Sequence, residues 1–377
     1  MDALTPETAS SGPLAGIRVL DMATVVAAPF AATLCADLGA TVTKLELPDG
    51  SDTLRQMPPI EGEHQLFWKV TNRGKRGISV DLRKPEGKAL VLRMIPQTDV
   101  LVENFRTGTL DRWGLDIKTL HAANPDLIVL RLTGFGQTGP YATRPGFARI
   151  FEAMSGFANL TGEVGRSPQH MNYPLGDVIA GLFGAFSITS ALVGQLRQPP
   201  GGARGCEIDL SATEALLRML DPLAVEHQVQ GVVRERTGAR ANYSALSNIF
   251  QTRDHQYVTI VCTSYSTYQR IFAVMGHPEL VDDPRLATAA SRLEHGDMVD
   301  GLVTEWCRSL SLDDLVVQLS NAGVPHSKVN NIEDVLADPH FQARQALIEL
   351  PDPDLGHVTA PGIVPRYSNY QLKTPRS

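Results

Sequence analysis

The sequence predicts an α/β protein built around a parallel sheet. Short apolar runs of strand length recur through its first half, among them IRVLDM (17–22) and LIVLRLTG (127–134). Segments with helical character separate these runs, and proline or glycine stands near their ends. Strands and helices that alternate at this spacing are typical of parallel sheets with right-handed crossover connections.

Each element follows from a local pattern. Pro29 and Pro85 fit the first turn of a helix, where the missing N–H of proline has no intrahelical partner to lose, and Gly39 fits a helix end. The predicted strands are 17–22, 41–46, 78–82, 99–105 and 127–134, and the predicted helices between them are 29–38 and 85–94. From about residue 225 the alternation gives way to one strand (257–262) and several helical stretches, which indicates a second, smaller domain at 225–325.

Composition narrows the class of protein. The 377 residues are 43% hydrophobic and 20% charged, which is ordinary for a globular chain. The formal net charge of -7 argues against nucleic-acid binding, because a nucleic-acid binder needs a basic surface that displaces counterions. Basic residues are local, around Arg73, Lys75 and Arg76 and around Arg106 and Arg112, which fits either a small anionic ligand or solvated loops.

Cysteine and histidine spacing gives no metal or disulfide signature. The four cysteines, Cys35, Cys206, Cys262 and Cys307, form no CxxC pair, and the ten histidines show no HxxxH or HExxH spacing. We therefore predict no metal site, reduced thiols and a cytoplasmic location. The most apolar segment, 178–196, contains hydroxyl side chains and lies mid-chain, so we predict a buried helix and not a membrane span.

A glycine motif follows one of the predicted strands. Gly134, Gly136 and Gly139 have the GxGxxG spacing of dinucleotide-binding loops. In such loops a helix must begin at once, so that its N-terminus meets the pyrophosphate. Here Pro140 follows the last glycine directly, which favours a tight turn and leaves an NAD-binding oxidoreductase as a weaker alternative.

Asp177 stands directly before an apolar helical stretch, and its role has two interpretations. As an N-cap, the commoner role at such a position, it would stabilise the helix by ~1 kcal/mol. As a nucleophile it would attack an activated acyl carbon, and the helix N-terminus would keep it ionised. Gly176 and Gly181 would then leave room for a large ligand.

Other candidate ligand-binding residues lie near strand ends. Asn104 and Phe105 end a predicted strand, at the carboxyl edge where open α/β sheets bind ligands. Arg83 and Arg112 fit surface positions equally well, but the planar and permanently charged guanidinium is also the natural partner of a phosphate.

Taken together, several ordered blocks resemble the family III CoA transferases, also called the CaiB/BaiF family. The blocks are LAGIRVLDM, LCADLGATVTKLELPDGSDTLR, NRGKRGISVDLRKPEGKAL, DVLVENFRTGTLDRWGLDIKTLHAANPDLIVLRLTGFGQTGPY, and the segment around Asp177 followed by GARGCEIDLSATEA. The close resemblance covers about 14–215. Blocks in this order are far more specific than any single short motif.

The resemblance implies an architecture and a role for each matching residue. It implies a large Rossmann-like domain formed by 1–224 with 326–377, a small α/β domain at 225–325, and an interlocked homodimer. Asp177 is then the nucleophile. The residues expected to bind coenzyme A are Val26, Ala27, Arg83, Asn104, Phe105, Arg106 and Arg112.

The same resemblance implies an activity. CoA would move from an acyl-CoA, with succinyl-CoA as a candidate donor, to a small carboxylic acid through mixed anhydrides and an aspartyl-CoA thioester. Acyl-CoA is then a substrate, and no permanently bound cofactor is expected. The α-methylacyl-CoA racemases share the fold but use a histidine where this chain has Phe147. Phenylalanine cannot transfer a proton, so a racemase or isomerase is the less favoured alternative.

Overall fold

The computed structural model describes residues 12–199, 202 and 204–377. Within them the chain forms two compact units. The first comprises the described parts of Met1–Phe157 and Met171–Val232 together with His340–Ser377, and the second comprises Ala158–His170 and Val233–Pro339. The segment Ala158–His170 therefore belongs to the second unit, although it lies within the range predicted for the large domain.

In the described part of the first unit, six strands form one parallel sheet. Its helices and strands, up to the second unit, are β1 (Arg18–Asp21), α1 (Ala27–Asp37), β2 (Thr41–Glu46), β3 (Ile60–Glu61), β4 (His64–Gln65), α2 (Leu66–Thr71), β5 (Lys75–Ser79), α3 (Pro85–Met94), β6 (Val100–Glu103), α4 (Thr109–Arg112), α5 (Ile117–Ala123), β7 (Ile128–Thr133), α6 (Ala148–Met154), α7 (Leu175–Arg197), β8 (Cys206–Ser211), α8 (Ala212–Arg218) and α9 (Pro222–Gln230). The sheet order is β5-β2-β1-β6-β7-β8, and every neighbouring pair is parallel. This is the Rossmann order, in which the winding reverses between the first and fourth sheet strands. The predicted Rossmann-like sheet is thus confirmed.

Helices cover both faces of this sheet. Successive residues of a strand point to opposite faces, and β7 shows the alternation clearly. Ile128 and Leu130 belong to the core formed with α1 and α7, whereas Val129 belongs to the core formed with α3 and α5. Because both faces are buried, the central strands are mostly apolar, which is why the sequence alone predicted them.

Small residues let α1 and α7 approach closely. A Cβ added to Gly181 would lie 2.5 Å from the carbonyl oxygen of Ala27, and one added to Gly176 would lie 3.0 Å from the carbonyl oxygen of Ala148. The expectation that these glycines leave room for a ligand is wrong, because neighbouring helices fill that room. The close contact instead joins α1 to the helix that carries Asp177.

One strand lies elsewhere than predicted. The sequence predicted a strand at 78–82, whereas β5 covers Lys75–Ser79. Because β5 is an edge strand, its polar first residues are compatible with pairing to β2. The strand cannot continue because the chain turns at Asp81, whose carboxylate accepts the N–H of Arg83 at 3.2 Å.

The second unit combines an antiparallel sheet with helices. Its elements are β9 (Leu246–Gln251), β10 (Tyr257–Cys262), α10 (Tyr265–Val274), α11 (Ala289–Glu294), α12 (Gly296–Ser309), α13 (Leu312–Ala322), β11 (His326–Lys328) and α14 (Ile332–Ala337). The strand order is β11-β10-β9. Residues such as Phe250, Ile260, Phe272 and Val303 form its own core. A smaller α/β body is therefore present, as predicted.

The last part of the chain consists of α15 (Pro339–Ala343), β12 (Leu347–Asp352) and β13 (Gly356–Pro361). β12 and β13 form an antiparallel hairpin. Within the first unit, the ammonium group of Lys69 donates to Asp352 at 2.6 Å and to Asp354 at 2.7 Å. These bonds join the hairpin to α2.

Among the described residues, α7 is long and apolar enough to cross a membrane by length and composition. One side of it, with Ala180 and Ile188, is buried in the core of the first unit. A second side exposes an apolar stripe at helical spacing, formed by Leu182, Phe186, Val193 and Leu196. α7 is therefore a core helix with one open apolar face.

Candidate active site

A cleft of about 430 Å³ lies at the carboxyl ends of β1 and β6, where the winding of the sheet reverses. Ligands bind at this point in open parallel sheets because the loops that leave the two strands run to opposite faces. The lining comes entirely from the first unit: Thr24, Val25, Val26, Ala27, Ser51, Thr53, Asn104, Phe105, Arg106, Thr107, Leu132, Thr133, Gly134, Ala142, Arg144, Pro145, Gly146, Phe147, Phe151 and Asp177.

Asn104 links the two diverging loops. Its Oδ1 accepts the backbone N–H of Thr24 at 2.8 Å, and its Nδ2 donates to the carbonyl oxygen of Thr24 at 2.7 Å. The side-chain amide thereby continues the pairing of β1 and β6 beyond the ends of both strands. An ionised Asp at this position could only accept, so it would lose the bond to the carbonyl oxygen of Thr24.

The loop after β1 is held in an unusual conformation. Val25 has φ = 65°, in the left-handed region that β-branched residues rarely adopt. Its N–H donates to Oδ1 of Asp52 at 3.0 Å, and the Nζ of Lys44 donates to the carbonyl oxygen of Ala23. Lys44 and Asp52 are both buried, with Nζ and Oδ2 3.7 Å apart. This buried pair supports the backbone that brings Val26 to the cleft.

The basic residues around Arg73 and Lys75 serve the fold. The Arg73 guanidinium donates to both carboxylate oxygens of Asp37, at 3.0 and 2.5 Å. The ammonium group of Lys75 donates to Asp21 and to two further oxygens, each at 2.8 Å. Burial lowers the pKa of Lys75 to about 8, although the charge of Asp21 opposes the shift. These donors are satisfied within the protein, so the solvated-loop and ligand interpretations are both wrong for Arg73 and Lys75.

Glu103 fixes the exit from β6. It is buried, and its Oε2 accepts the N–H of Phe105 at 2.6 Å while its Oε1 accepts from Nε of Arg131 at 2.8 Å. Burial raises the pKa of Glu103 to about 6, against the opposing effect of Arg131. The Phe105 ring then meets the Trp113 ring edge-on, with centroids 5.0 Å apart. Phe105 is therefore held at the cleft from both its backbone and its ring.

Asp177 lies in the first turn of α7 and not at its cap. The N-cap position belongs to Pro174, so the N-cap interpretation of Asp177 is wrong. The side chain is only 8% exposed, and its carboxylate accepts no hydrogen bond from any residue in the described part of the chain. Burial, together with the negative charge of Glu152, raises the pKa of Asp177 to about 7. This shift is opposite in direction to the one that a helix N-terminus alone would produce.

Six of the predicted site residues line the one cleft: Val26, Ala27, Asn104, Phe105, Arg106 and Asp177. Arg83 is not among the lining residues and pairs with Asp49 at 2.6 Å and with Asp81 at 2.7 Å. Arg112 is also outside the lining, and its guanidinium donates to Oγ1 of Thr109 at 2.8 Å. The binding of coenzyme A by these residues stays a prediction.

Two residues at the site were missed in the sequence. Glu152 is 1% exposed on α6, and its Oε1 accepts the N–H of Gly176 at 3.1 Å. A charged residue within the apolar stretch ARIFEAM was the available signal. Arg144 lies in the loop after β7, with its guanidinium carbon 4.4 Å from the centroid of the Tyr141 ring. Nothing in its local pattern distinguished it from a surface arginine.

The GxGxxG segment has no helix at its end. The chain turns through Gly136 and Gly139, with φ of 82° and 83°, and the next helix begins only at Ala148. A Cβ on Gly134 would lie 2.4 Å from the ring of Phe151. The glycines therefore serve tight turns and close packing, and the loop lacks the helix start that a dinucleotide needs.

The chemistry available in the cleft is that of one carboxylate among cations and aromatic rings. Arg106 and Arg144 line it, and neither guanidinium has an ion-pair partner among the described residues. Across the described ranges, no three His, Cys, Asp or Glu side chains are grouped so as to hold a metal ion. A buried carboxylate with a perturbed pKa is a candidate catalytic group, and the arginines that line the same cleft suit an anionic ligand.

The chain belongs to CoA-transferase family III, whose model matches residues 14–377. It is accordingly an enzyme that transfers CoA between an acyl-CoA and a carboxylic acid, as the resemblance implied. The chain is 40% identical to the succinyl-CoA–D-citramalate CoA-transferase of Chloroflexus aurantiacus, over 94% of this chain and 88% of that protein. It is 39% identical to the beta subunit of succinyl-CoA–L-malate CoA-transferase from the same organism, over 96% and 89%. The crystal structure of a CaiB/BaiF family protein from Brucella suis matches with a TM-score of 0.84 at 34% identity, over 97% of this chain and 96% of that one.

Proposed function

We propose that the enzyme transfers CoA from succinyl-CoA to a dicarboxylic acid with a four-carbon backbone, with Asp177 as the nucleophile. The observation that carries this proposal is the carboxylate of Asp177, which is buried at the cleft and accepts no hydrogen bond in the described chain. A carboxylate that has lost most of its hydration without gaining hydrogen bonds is poorly stabilised. It is therefore well suited to attack an acyl carbon in the cleft.

Four steps complete the transfer. Asp177 attacks the thioester carbon of succinyl-CoA, the C–S bond breaks, and CoA leaves as a thiolate while an aspartyl-succinyl anhydride forms. The thiolate attacks the aspartyl carbonyl, and succinate leaves an enzyme–CoA thioester behind. The acceptor carboxylate attacks that thioester and expels the thiolate, which gives a second anhydride. The thiolate then attacks the acceptor's carbonyl, and the new acyl-CoA departs from a regenerated Asp177 carboxylate. Each step exchanges one acyl bond for another, so the reaction balances without a further reactant.

The first unit is proposed to bind coenzyme A. Val26, Ala27, Asn104, Phe105 and Arg106 belong to the cleft lining, next to Asp177. Arg83 and Arg112 are exposed and would meet the phosphates of a coenzyme that extends beyond the cleft, since guanidinium groups bind phosphate in bidentate fashion. The small domain then corresponds to the second unit, whose main segment Val233–Pro339 is shifted toward the C-terminus relative to the predicted 225–325. Acyl-CoA is a substrate in this scheme and not a resident cofactor.

The acceptor class follows from a second cationic group. The two relatives described above are named for succinyl-CoA and for D-citramalate or L-malate, acids that carry a carboxylate at each end of a four-carbon backbone. Only one carboxylate reacts, so the other needs a cationic partner once it leaves water. Arg144 is suited to this role, because its guanidinium rests on the Tyr141 ring and has no ion-pair partner among the described residues.

An interlocked homodimer in the cytoplasm is proposed as the working form. The apolar stripe of α7, with Phe186 at 65% and Leu196 at 85% exposure, is larger than scattered surface residues would form. A membrane-spanning role for α7 is disfavoured, because the opposite side of the helix is packed into the core. We propose that a second copy of the chain covers this apolar stripe. The four free cysteines fit the reducing environment of the cytoplasm. Sedimentation velocity of the wild type should give twice the mass of the chain. The Phe186→Glu variant should give a mass closer to that of the monomer. A monomeric wild type would contradict the proposed dimer.

Trapping of the activated carboxyl group tests the nucleophile. Wild-type enzyme is incubated with succinyl-CoA and hydroxylamine, and its mass and peptides are measured. A hydroxamate at Asp177 is expected, and an acceptor with ¹⁸O in its carboxylate should leave label in the Asp177 side chain. Asp177→Asn should lose CoA transfer. Asp313→Asn, which changes an exposed Asp in the first turn of α13, is the matched control and should keep it. Continued transfer with no modification or label at Asp177 would overturn the proposal.

A further inference from the structure

Glu152 accepts a hydrogen bond from the N-terminus of α7, the helix that carries Asp177. It is on α6, 1% exposed, and its Oε1 accepts the N–H of Gly176 at 3.1 Å. Gly176 is the second residue of α7, so its N–H is one of those that a helix leaves open at its start. The next residue is Asp177, which is the acidic residue of this first turn.

The remaining N–H groups of the first turn are also committed. Leu175 donates to the carbonyl oxygen of Tyr173 at 2.8 Å, and Asp177 donates its own N–H to the carbonyl oxygen of Pro174 at 3.1 Å. An acidic residue at the third helical position usually reaches back to the N–H of the N-cap residue, as in a capping box. Here the N-cap is Pro174, and proline has no N–H. Asp177 is thus denied its usual partner as well as the one that Glu152 takes.

We infer that Glu152 and Pro174 are positioning residues that keep the Asp177 carboxylate unsatisfied, and that Glu152 adds a like charge beside it; the inference rests on the proposed role of Asp177 as nucleophile. Formation of the anhydride or thioester removes the charge of Asp177. The repulsion from Glu152 is then relieved, so the arrangement favours the covalent intermediates over the free carboxylate. Neither residue touches the reacting atoms, and both act through Asp177.

The groups around Asp177 determine how its pKa shapes the pH dependence of the reaction. Burial and Glu152 raise the pKa of Asp177 to about 7, and the pKa of Tyr173 is raised by burial and by Asp177. Arg106 and Arg144 line the same cleft, and at Gly181 and Gly184 of α7 the nearest residues of α1 are the apolar Ala27, Phe30 and Ala31. A carboxylate of higher pKa is the stronger nucleophile, but a smaller fraction of it is ionised below that pKa.

The pH profile of single-turnover enzyme–CoA formation from succinyl-CoA tests the inference. Glu152→Gln keeps an oxygen that can accept the N–H of Gly176 but removes the charge. We expect its acid limb to move to lower pH and its plateau at high pH to fall roughly three- to tenfold, so that the variant is faster than wild type in acid and slower in alkali. A purely structural defect would lower the whole profile without such a crossing. Glu86→Gln, an exposed glutamate in the first turn of α3, is the control and should overlay the wild type.

Pro174→Ala tests the same idea independently, should Glu152→Gln fail to fold. It restores an N–H at the N-cap, which Asp177 can accept. The acid limb should again move to lower pH and the plateau should fall, while the helix becomes more stable. Profiles of both variants that overlay the wild type would overturn this inference and leave the proposed function intact. If no thioester forms at Asp177 in the wild type, the proposed function fails and this inference fails with it.

Discussion

Asn104 and Thr24 form a two-way hydrogen-bonded pair across the point at which the sheet reverses its winding. The pair connects the loop that brings Val26 to the cleft with the loop that brings Arg106 to it. Neither loop has regular structure at this point, so the width of the cleft depends on a side chain and not on the sheet ladder. A change at Asn104 should therefore affect ligand binding and stability together.

We expect Asn104→Ala to lower the free energy of unfolding by roughly 1–3 kcal/mol, because two backbone groups of Thr24 lose their partner. We also expect KM for the acyl-CoA to rise several-fold with a smaller change in kcat, since the loops are no longer held at one separation. Urea unfolding and initial-rate kinetics measure the two effects.

The matched control for this variant is Asn124→Ala. Like Asn104, Asn124 both donates to and accepts from the backbone: its Nδ2 donates to the carbonyl oxygens of Ile95 and Thr98, and its Oδ1 accepts the N–H of Asp126. It lies outside the cleft lining. It should lose similar stability and keep the wild-type KM. An unchanged KM in Asn104→Ala would show that the pair serves the fold alone.

Asp177→Asn should make the protein more stable at neutral and alkaline pH. The carboxyl group titrates at about 7 in the folded protein against an ordinary value of 3.8. Between these values the folded chain binds more protons than the unfolded chain, so the free energy of unfolding falls as pH rises through this window. Above about pH 7 the full penalty is present, and below about pH 4 it disappears. The asparagine variant lacks this group and should be more stable than wild type by roughly 2–4 kcal/mol at pH 8, with the difference vanishing near pH 4.

Urea unfolding of both proteins at pH 4, 6 and 8 measures this difference. Asp313→Asn is the reference, because that side chain is exposed and its substitution should give an offset that does not follow this window. A destabilised Asp177→Asn at pH 8 would mean that the carboxylate stabilises its helix after all.

The sequence predicted the sheet well where the local pattern and the burial of each strand agree. The bounds of β2 and α3 match the prediction fully, because an apolar run between turns defines β2 and Pro85 fixes the first turn of α3. The predicted range of the edge strand β5 was wrong by about three residues. One exposed side makes its first residues polar, so a search for apolar runs does not find them.

The site was predictable only in part. Strand ends give Asn104 and Phe105, but the roles of Asp177 and the arginines came from the resemblance and not from spacing. The lack of a hydrogen bond at Asp177 depends on Pro174 and on Glu152, and Glu152 reaches α7 from a different helix. Such a tertiary contact has no periodic signature. The exposed positions of Arg83 and Arg112 show that a basic residue in a matching block need not line the cleft.

The approach of α1 to α7 gives a prediction with a control in the same helix. Gly181→Ala should be destabilising, because the added Cβ would lie 2.5 Å from a backbone oxygen of Ala27, and backbone cannot move aside as a side chain can. We expect a loss of roughly 1–3 kcal/mol and a reduced rate, since Ala27 lines the cleft. Gly194→Ala meets no atom within 4 Å and should instead be stabilising by roughly 0.5–1 kcal/mol through helix propensity. Thermal and urea unfolding measure both; equal effects of the two substitutions would contradict the close contact.

Arg144 should decide the preference for a dicarboxylic acceptor. If its guanidinium binds the non-reacting carboxylate, Arg144→Leu should raise KM for L-malate by roughly 10- to 100-fold, which corresponds to the loss of a charged hydrogen bond. The kcat/KM for butyrate, which has no second carboxylate, should change little, so the ratio of the two values for kcat/KM falls. Arg144→Lys keeps the charge without the planar fork and should give an intermediate ratio. Arg308→Leu, at an exposed position on α12, is the control and should leave the ratio unchanged. An equal loss with both acids would instead assign Arg144 to the binding of CoA or to the fold of its loop.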